Sequence, residues 1–196
     1  SSLVGSEMCI RDRAYPTVKE LQEKMRNVGL MEDLGYSDDE YAVIDEIINH
    51  ELNFTYYHYQ LEQLRKKYAI RDKGNNIDYE TPQFTFMRMA MALAKTEDKT
   101  ERLKHVERYY YYFSRNIINA PTPNYVNLGT RLHGYSSCCV YDADDNLGSL
   151  AAGDHIAYMM TANSAGIGSH LHTRSIKDSV RSGAIDHQGK LPYYRA

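Results

Sequence analysis

The chain has 196 residues, a formal net charge of −3 at pH 7, 42% hydrophobic residues and no Trp. This length indicates one domain, or one domain and part of another. The mildly acidic balance argues against a general nucleic-acid binder, which presents a basic face, and no run of about 18 apolar residues predicts a membrane span. Three cysteines are too few for a disulfide scaffold, so a reducing cytoplasm is the expected location.

The first thirteen residues, SSLVGSEMCIRDR, show neither periodicity nor a signal-peptide core. They can be back-translated into a transposase adapter used in sequencing libraries. We interpret residues 1–13 as a disordered read-through scar and exclude them, with Cys9, from the prediction of the fold. A genuine disordered N-terminus is the alternative. A chain assembled from sequencing reads is expected to end where the reads end.

Residues 14–120 carry helical signals and predict a helical N-terminal domain. Two capping boxes, Thr17 with Glu20 and Ser37 with Glu40, predict the starts of two helices. Thr55 is predicted to cap a third helix. The stretch YAIRDKGNNIDYE, residues 68–80, predicts two short extended runs around a Gly-Asn turn. A Thr-Pro pair at 81–82 predicts the fourth helix, and a fifth is predicted from about residue 97 to 115.

The pattern changes in residues 121–196. Two prolines flank Thr122 in NAPTPNYVNLGT and predict an extended or turning backbone. The segment YSSCCVYD has strand composition, and residues 147–165 again have helical composition. AGIGSHLH is predicted to form a glycine-containing turn into a strand. The alternation predicts a parallel α/β unit after the helical region.

Cys138 and Cys139 are adjacent on the predicted strand, so their side chains are expected on opposite faces. Two structural thiols are one interpretation. A metal site is not predicted, because no C-x-x-C spacing or companion cluster is present. A cysteine nucleophile paired with His170 or His172 is another possibility, although no spacing fixes that geometry.

The acidic residues Asp142, Asp144 and Asp145 directly precede the predicted helix. They suit helix capping and the helix dipole, or a carboxylate that accepts a hydrogen bond from a ribose hydroxyl. Downstream, two glycines at 166 and 168 would permit close approach of a ligand to the backbone. Arg174 and Arg181 could hold phosphates, or lie solvated at the surface. The combination favours a nucleotide site.

Several motifs, in this order and spacing, resemble the large catalytic subunit of aerobic, class I ribonucleotide reductases. Residues 53–94 resemble the end of its helical domain, and APTP followed by YSSC resembles the entry to its ten-stranded α/β barrel. SAGIGSHLHTRS, VRSG and HQGKLPYY resemble the next segments, the last in phage-type members. The resemblance covers nearly everything after residue 13. It implies a truncated barrel in residues 121–196.

The resemblance also implies roles for single residues. Cys138 would be one of two redox-active cysteines that reduce the ribose, with its disulfide partner beyond residue 196. Cys139 departs from the family pattern and would be structural. The other implied contacts are, for the substrate, Thr122, Ser137, Cys138 and Gly166, and, for a deoxynucleotide effector, Asp145, Asn146, Leu147, Arg174 and Arg181.

The resemblance further implies partners and cofactors. These are a ribonucleoside diphosphate, dNTP or ATP effectors, a second copy of the subunit, thioredoxin or glutaredoxin, and a metal-containing small subunit that supplies the radical. No directly bound cofactor is expected in these residues. The thiyl-forming cysteine and an ATP cone are not recognised in the sequence, so we expect the isolated 196-residue chain to be inactive and poorly soluble. The alternatives are a non-enzymatic helical nucleotide-binding module and a cysteine hydrolase.

Overall fold

The computed structural model describes residues 15–72, 74, 77–163 and 165–191. The described chain is rich in helices and has a few small strands. It divides into two compact units between Tyr135 and Ser136, further along the chain than residue 120. The predicted scar at residues 1–13 lies outside the described residues. No helix in the described ranges is both long and apolar enough to cross a membrane.

The first unit consists of helices and one small antiparallel hairpin. Both predicted capping boxes are confirmed, at the N-termini of the first two helices. The hairpin confirms the two predicted extended runs, although three residues of the connecting segment, 73, 75 and 76, lie outside the described ranges. In chain order the elements are α1 (Val18–Asn27), α2 (Asp38–Ile47), a 3₁₀ helix (His50–Thr55), α3 (His58–Lys67), β1 (Arg71–Asp72), β2 (Ile77–Asp78), α4 (Pro82–Ala94), α5 (Arg102–Ser114) and α6 (Thr122–Asn127).

Two helix starts in the first unit differ from the prediction. Thr55 does not cap a helix but ends the 3₁₀ helix, where its hydroxyl donates to the Leu52 carbonyl oxygen at 2.8 Å. The fifth helix begins at Arg102, later than predicted, because the Asp98 carboxylate accepts from the Thr100 backbone N–H at 2.9 Å and holds the preceding residues in a turn.

The proline-flanked segment, for which an extended or turning backbone is predicted, is extended only at Pro121 and then forms a short helix, α6. Pro121 is extended, with ψ 151°, and the helix starts at Thr122 with Pro123 in its first turn. Proline suits these positions because first-turn N–H groups have no partner within a helix.

The core of the first unit surrounds α4, which is buried along nearly its whole length, from Gln83 to Ala92. Helix α5 packs against it through Val106, Tyr110 and Phe113. A buried ion pair between Arg88 and Glu80 lies within this apolar core. Each side chain of this pair compensates the buried charge of the other.

Glu40 links two elements of the first unit and makes its stability dependent on pH. The carboxylate closes the capping box of α2 and pairs with the Arg102 guanidinium of α5. The hydrogen bond from Arg102 is the main cause that lowers the pKa of Glu40 to about 2, from an ordinary value of 4.5. Because the unfolded chain binds this proton more readily, the stabilisation is present above about pH 4.5 and is lost as the pH falls towards 2.

We therefore expect Glu40→Gln to remove a stabilising contribution at pH 7 that wild type loses on acidification. The contribution is at most about 3 kcal/mol. Urea unfolding of the chain at pH 7 and pH 3 measures it: the difference between the two proteins should be largest at pH 7 and should fall to roughly half or less at pH 3, because folded Glu40 is fully protonated only below its pKa of about 2. Glu97→Gln, at an exposed position, is the control, and its free energy of unfolding should equal that of wild type at both pH values. A constant difference at both pH values would contradict this assignment.

The second unit is a β–α–β unit followed by a small hairpin. Strand β3 (Cys138–Ala143), helix α7 (Leu147–Ala162) and strand β4 (Gly166–Leu171) follow in order, and the two strands pair in parallel. This confirms the predicted parallel unit. The predicted glycine turn is wrong, because Gly166 and Gly168 lie inside β4 as register partners of β3 residues. The hairpin consists of β5 (Ser179–Val180) and β6 (Ile185–Asp186).

Candidate functional site

The two faces of the β3–β4 pair have different environments. Along β3, Cys138, Val140 and Asp142 are exposed, whereas Cys139 is half-buried and Ala143 is buried. This alternation is the period-2 pattern of a strand with one covered face. The two cysteines therefore lie on opposite faces, as predicted, and both are free thiols.

Helix α7 covers the face that carries Cys139. The ring of Tyr141, on the same face, packs directly on the backbone of Gly153 in α7: a Cβ added at Gly153 would lie 2.5 Å from Tyr141 Cε2. Ala143 and its register partner Leu171 are buried on this face. Cys139 therefore lies half-buried on the face that α7 covers.

The opposite face of the sheet is open around Cys138. Its register partner on β4 is Gly166, and Val140 pairs with Gly168. The two glycines leave the surface beside the thiol free of side chains; a Cβ at Gly166 would approach the Cys138 sulfur to 3.3 Å. The Gly166 N–H donates to the Ser137 carbonyl oxygen at 2.8 Å and fixes the start of the ladder. A ligand can therefore reach both the Cys138 thiol and the Gly166 backbone.

Asn146 caps α7, which corrects one interpretation of the acidic cluster. The Asn146 side chain accepts from the Ser149 backbone N–H at 2.8 Å. The Asp144 backbone N–H donates to the Ser149 hydroxyl at 2.9 Å. Asn146 occupies the position that allows a side-chain oxygen to reach the first-turn N–H groups, so the preceding carboxylates are free for other contacts.

One of those carboxylates, Asp145, binds Arg174. Arg174 Nε donates to Asp145 Oδ2 at 2.7 Å, which joins the end of β3 to the segment after β4. This hydrogen bond is the main cause that holds the pKa of Asp145 below its ordinary value. Two residues predicted to bind the effector are thus in contact beside the α7 N-terminus, where Asn146 and Leu147 also lie.

The remaining predicted residues belong to different elements of the two units. Thr122 is the exposed first residue of α6 in the first unit, and Ser137 is exposed directly before β3 in the second. Arg181 lies in the turn between β5 and β6 with a positive φ of 50°. Their substrate and effector contacts stay predictions.

A cluster that the sequence analysis missed lies at the far end of the open face. Asp142 pairs with His170 across the ladder, and His170 Nδ1 lies 3.0 Å from Asp142 Oδ1. His172 Nε2 lies 3.8 Å from the same oxygen. The signal was the H-x-H spacing within a strand, which places both rings on one face.

The register also separates Cys138 from these histidines. His170 is four strand positions beyond Gly166, the partner of Cys138, which corresponds to about 13 Å along the ladder. A base must lie within hydrogen-bond reach of its nucleophile. The geometry therefore disfavours the cysteine-hydrolase interpretation.

Comparison with known proteins gives the family of the chain. Residues 54–133 match the family model described as "Ribonucleotide reductase, all-alpha domain". The ribonucleoside-diphosphate reductase subunit alpha of Enterobacteria phage T4 is 34% identical over 161 residues, which cover 82% of this chain. The chain belongs to the ribonucleotide reductase large-subunit family. The predicted resemblance to class I alpha subunits is confirmed.

Two bacterial relatives support the same family over a longer part of the chain. Ribonucleoside-diphosphate reductase 1 subunit alpha of Escherichia coli K12 is 28% identical over 95% of this chain, and the Haemophilus influenzae subunit alpha is 29% identical over 93%. The chain spans 21%, 26% and 24% of the phage, Escherichia coli and Haemophilus proteins, respectively. In these large subunits it corresponds to an N-terminal portion.

Proposed function

We propose that the complete protein containing this chain is the catalytic subunit of a ribonucleoside-diphosphate reductase, with Cys138 as one thiol of its redox dithiol. The observation that carries the proposal is the exposed Cys138 thiol on the open face of β3, beside the side-chain-free Gly166. The ribose of a bound nucleotide must come into contact with the reducing thiol, and the open face of β3 leaves room for it. Thr122 and Ser137 would contact the rest of the substrate.

The proposed reaction consumes two thiols for each ribonucleotide. A thiyl radical on a further cysteine removes the 3′ hydrogen of the ribose, and the 2′ hydroxyl leaves as water after protonation. Cys138 and its partner thiol supply two electrons and two protons and close to a disulfide, while the 3′ hydrogen returns from the cysteine that took it. Thiol–disulfide exchange then restores the dithiol. The radical originates in a metal-containing small subunit.

The Asp145–Arg174 pair supports an effector site at the N-terminus of α7. An ionised Asp145 accepts a hydrogen bond from a ribose hydroxyl, and the Arg174 guanidinium can bind phosphate oxygens. Asn146 and Leu147, at the start of α7, and Arg181 would complete the contacts to a deoxynucleoside triphosphate or ATP. Binding there would select which base is reduced.

We expect Arg174→Ala to weaken binding of a deoxynucleoside triphosphate to the complete protein by about 10- to 100-fold, the value of charge-assisted hydrogen bonds. Equilibrium filter binding with a labelled nucleotide measures the change. Lys177→Asn is the matched control, because Lys177 is an exposed cation with a positive φ of 73° that Asn tolerates. Equal affinity in wild type and Arg174→Ala would remove Arg174 from the effector site.

We propose further that β3, α7 and β4 begin a ten-stranded α/β barrel. Among the described residues β3 and β4 pair only with each other, although parallel strands normally lie within larger, covered sheets. Helix α7 also leaves Leu147, Tyr158 and Met159 exposed by 86%, 78% and 52%. Helices that are apolar on every side are normally buried, so additional chain would cover both strand edges and this helix.

The proposed partners follow from the chemistry. They are the small subunit, a second copy of the large subunit, and thioredoxin or glutaredoxin as the external dithiol. A reducing cytoplasm, of the host if the protein is encoded by a phage, would keep Cys138 reduced. The isolated chain is proposed to be inactive, since the reaction needs cysteines other than those of residues 15–191.

The test is reduction of ribonucleoside diphosphates by the complete protein, assayed with its small subunit and a dithiol. The proposal predicts formation of the 2′-deoxynucleotide, with one disulfide formed for each product molecule. The 196-residue chain assayed in parallel should give no product. A complete protein that binds nucleotides without reducing them would favour a nucleotide-binding module instead.

A further inference from the structure

We propose that Asp142, His170 and His172 form a binding site for a first-row divalent transition metal, with Zn²⁺ as the ion best suited to the donor set. The three side chains lie on the exposed face of the β3–β4 pair. This inference is independent of the proposed reductase activity, because its test measures binding of the metal alone. None of the three residues belongs to the predicted substrate or effector contacts.

The backbone brings the three donors together. Asp142 and His170 are register partners on the parallel ladder, and His172 is two positions beyond His170 on the same side of the strand. The His172 N–H donates to the Ala143 carbonyl oxygen at 2.8 Å, which extends the ladder past the end of β4. Strand pairing therefore fixes the three Cα positions before any ion binds.

The donor atoms are already close to the separations that a zinc ion requires. Zinc–nitrogen and zinc–oxygen bonds of about 2.0–2.1 Å place tetrahedral ligand atoms about 3.3 Å apart. His170 Nδ1 and His172 Nε2 lie 3.0 Å and 3.8 Å from Asp142 Oδ1, and all three donors are within 4.8 Å of one another. Small side-chain rotations are enough to bind the ion.

The chemistry of the donors selects the class of metal. Two imidazoles and one carboxylate suit zinc and other first-row transition metals, whereas Ca²⁺ and Mg²⁺ prefer oxygen ligands alone. His170 presents its Nδ1 atom to the Asp142 carboxylate. An ion that binds between the two side chains is therefore coordinated by Nδ1, and the neutral imidazole carries its proton on Nε2. Three protein ligands leave a fourth position for water or an oxygen atom of another ligand.

The exposure of the cluster makes substitutions informative. The side chains of Asp142, His170 and His172 are 70%, 64% and 53% exposed, so replacing one of them removes a ligand without opening a cavity in the core. Cys138 is four positions from Asp142 on the same face, about 13 Å along the strand, and is too far away to contribute its thiolate.

Equilibrium dialysis of the tag-free 196-residue chain against Zn²⁺ alone tests the site, at a dilute protein concentration that limits association through the open strand edges. We expect one bound ion with its affinity reduced about tenfold or more by His172→Asn and by Asp142→Asn, since even groups that only orient a ligand change metal affinity by this factor. His155→Asn, at an exposed position on α7, and Cys138→Ser should bind as wild type. Circular dichroism verifies that each variant is folded.

A second measurement uses wild type only. Diethyl pyrocarbonate modifies exposed imidazoles, and mass spectrometry locates the modified residues. Zn²⁺ should protect His170 and His172 but leave His155 reactive. Absence of saturable Zn²⁺ binding, affinity unchanged by His172→Asn, or equal protection of all three histidines would each overturn the site.

Discussion

Replacing Cys138 with Ser in the complete protein is expected to lower deoxynucleotide formation by about three orders of magnitude or more, as when a group that takes part in bond changes is removed. Serine fills nearly the same space on the open face of β3, but its hydroxyl cannot deliver electrons or form a disulfide. Substrate binding should change little, because the substitution leaves the backbone of β3 and of Gly166, the register partner of residue 138, unchanged. A steady-state assay with a dithiol measures the loss.

Cys139→Ser is the matched control for this substitution. Cys139 is the adjacent residue, carries the same thiol, and lies half-buried on the face that α7 covers. Its replacement should leave turnover within about threefold of wild type, with some loss of stability from burying a hydroxyl. If Cys138→Ser kept more than about a tenth of wild-type turnover, or if Cys139→Ser were the inactive variant, the assignment of the redox thiol would be wrong.

Arg88→Met is expected to destabilise the first unit by about 3–5 kcal/mol, the usual cost of breaking a buried ion pair from one side. The Arg88 and Glu80 side chains are 1% and 0% exposed, and Arg88 Nε donates to Glu80 Oε1 at 2.6 Å. Arg88 also donates to the carbonyl oxygens of Tyr125 and Leu128, so it ties α4 to α6 and the residue after it. The Met side chain fills much of the space that the Arg88 side chain occupies, but it leaves the Glu80 carboxylate without a cationic partner.

Urea unfolding measures this loss, and two controls separate its causes. The double variant Arg88→Met/Glu80→Gln removes the unpaired charge and should recover part of the stability. Lys95→Met breaks a surface ion pair in which Lys95 Nζ lies 2.7 Å from Glu32 Oε1. This substitution should lower the free energy of unfolding by less than about 1 kcal/mol. An Arg88→Met variant as stable as the Lys95→Met variant would show that the buried pair contributes little.

Local sequence signals predicted the elements whose stabilising contacts are local. The two capping boxes and the Thr-Pro helix start use residues within four positions of one another, and all three form where expected. Thr55 satisfied the same residue preference but donates back to Leu52, because a threonine hydroxyl can serve either end of a helix. The sequence alone does not show whether the Thr55 hydroxyl accepts from a backbone N–H at the start of the next helix or donates to a carbonyl oxygen at the end of the preceding one.

The parts of the candidate site that lie within one strand or one family motif could be predicted from the sequence. Strand alternation correctly separated Cys138 from Cys139. The contacts of Asp142 with His170 and of Asp145 with Arg174 join residues 28 and 29 positions apart, respectively. They depend on the parallel register, which a sequence pattern does not specify. For the same reason the cluster of two histidines and one carboxylate was missed, although the H-x-H spacing was visible.

The measurement that tests the central claim most directly is a single turnover of the complete protein without external dithiol. The reaction is quenched by acid, free thiols are alkylated, and peptides are analysed by mass spectrometry. The account predicts a disulfide between Cys138 and a cysteine outside residues 15–191, in a 1:1 ratio with deoxynucleotide, and Cys139 alkylated throughout. Deoxynucleotide formed while Cys138 remains fully alkylated would contradict it.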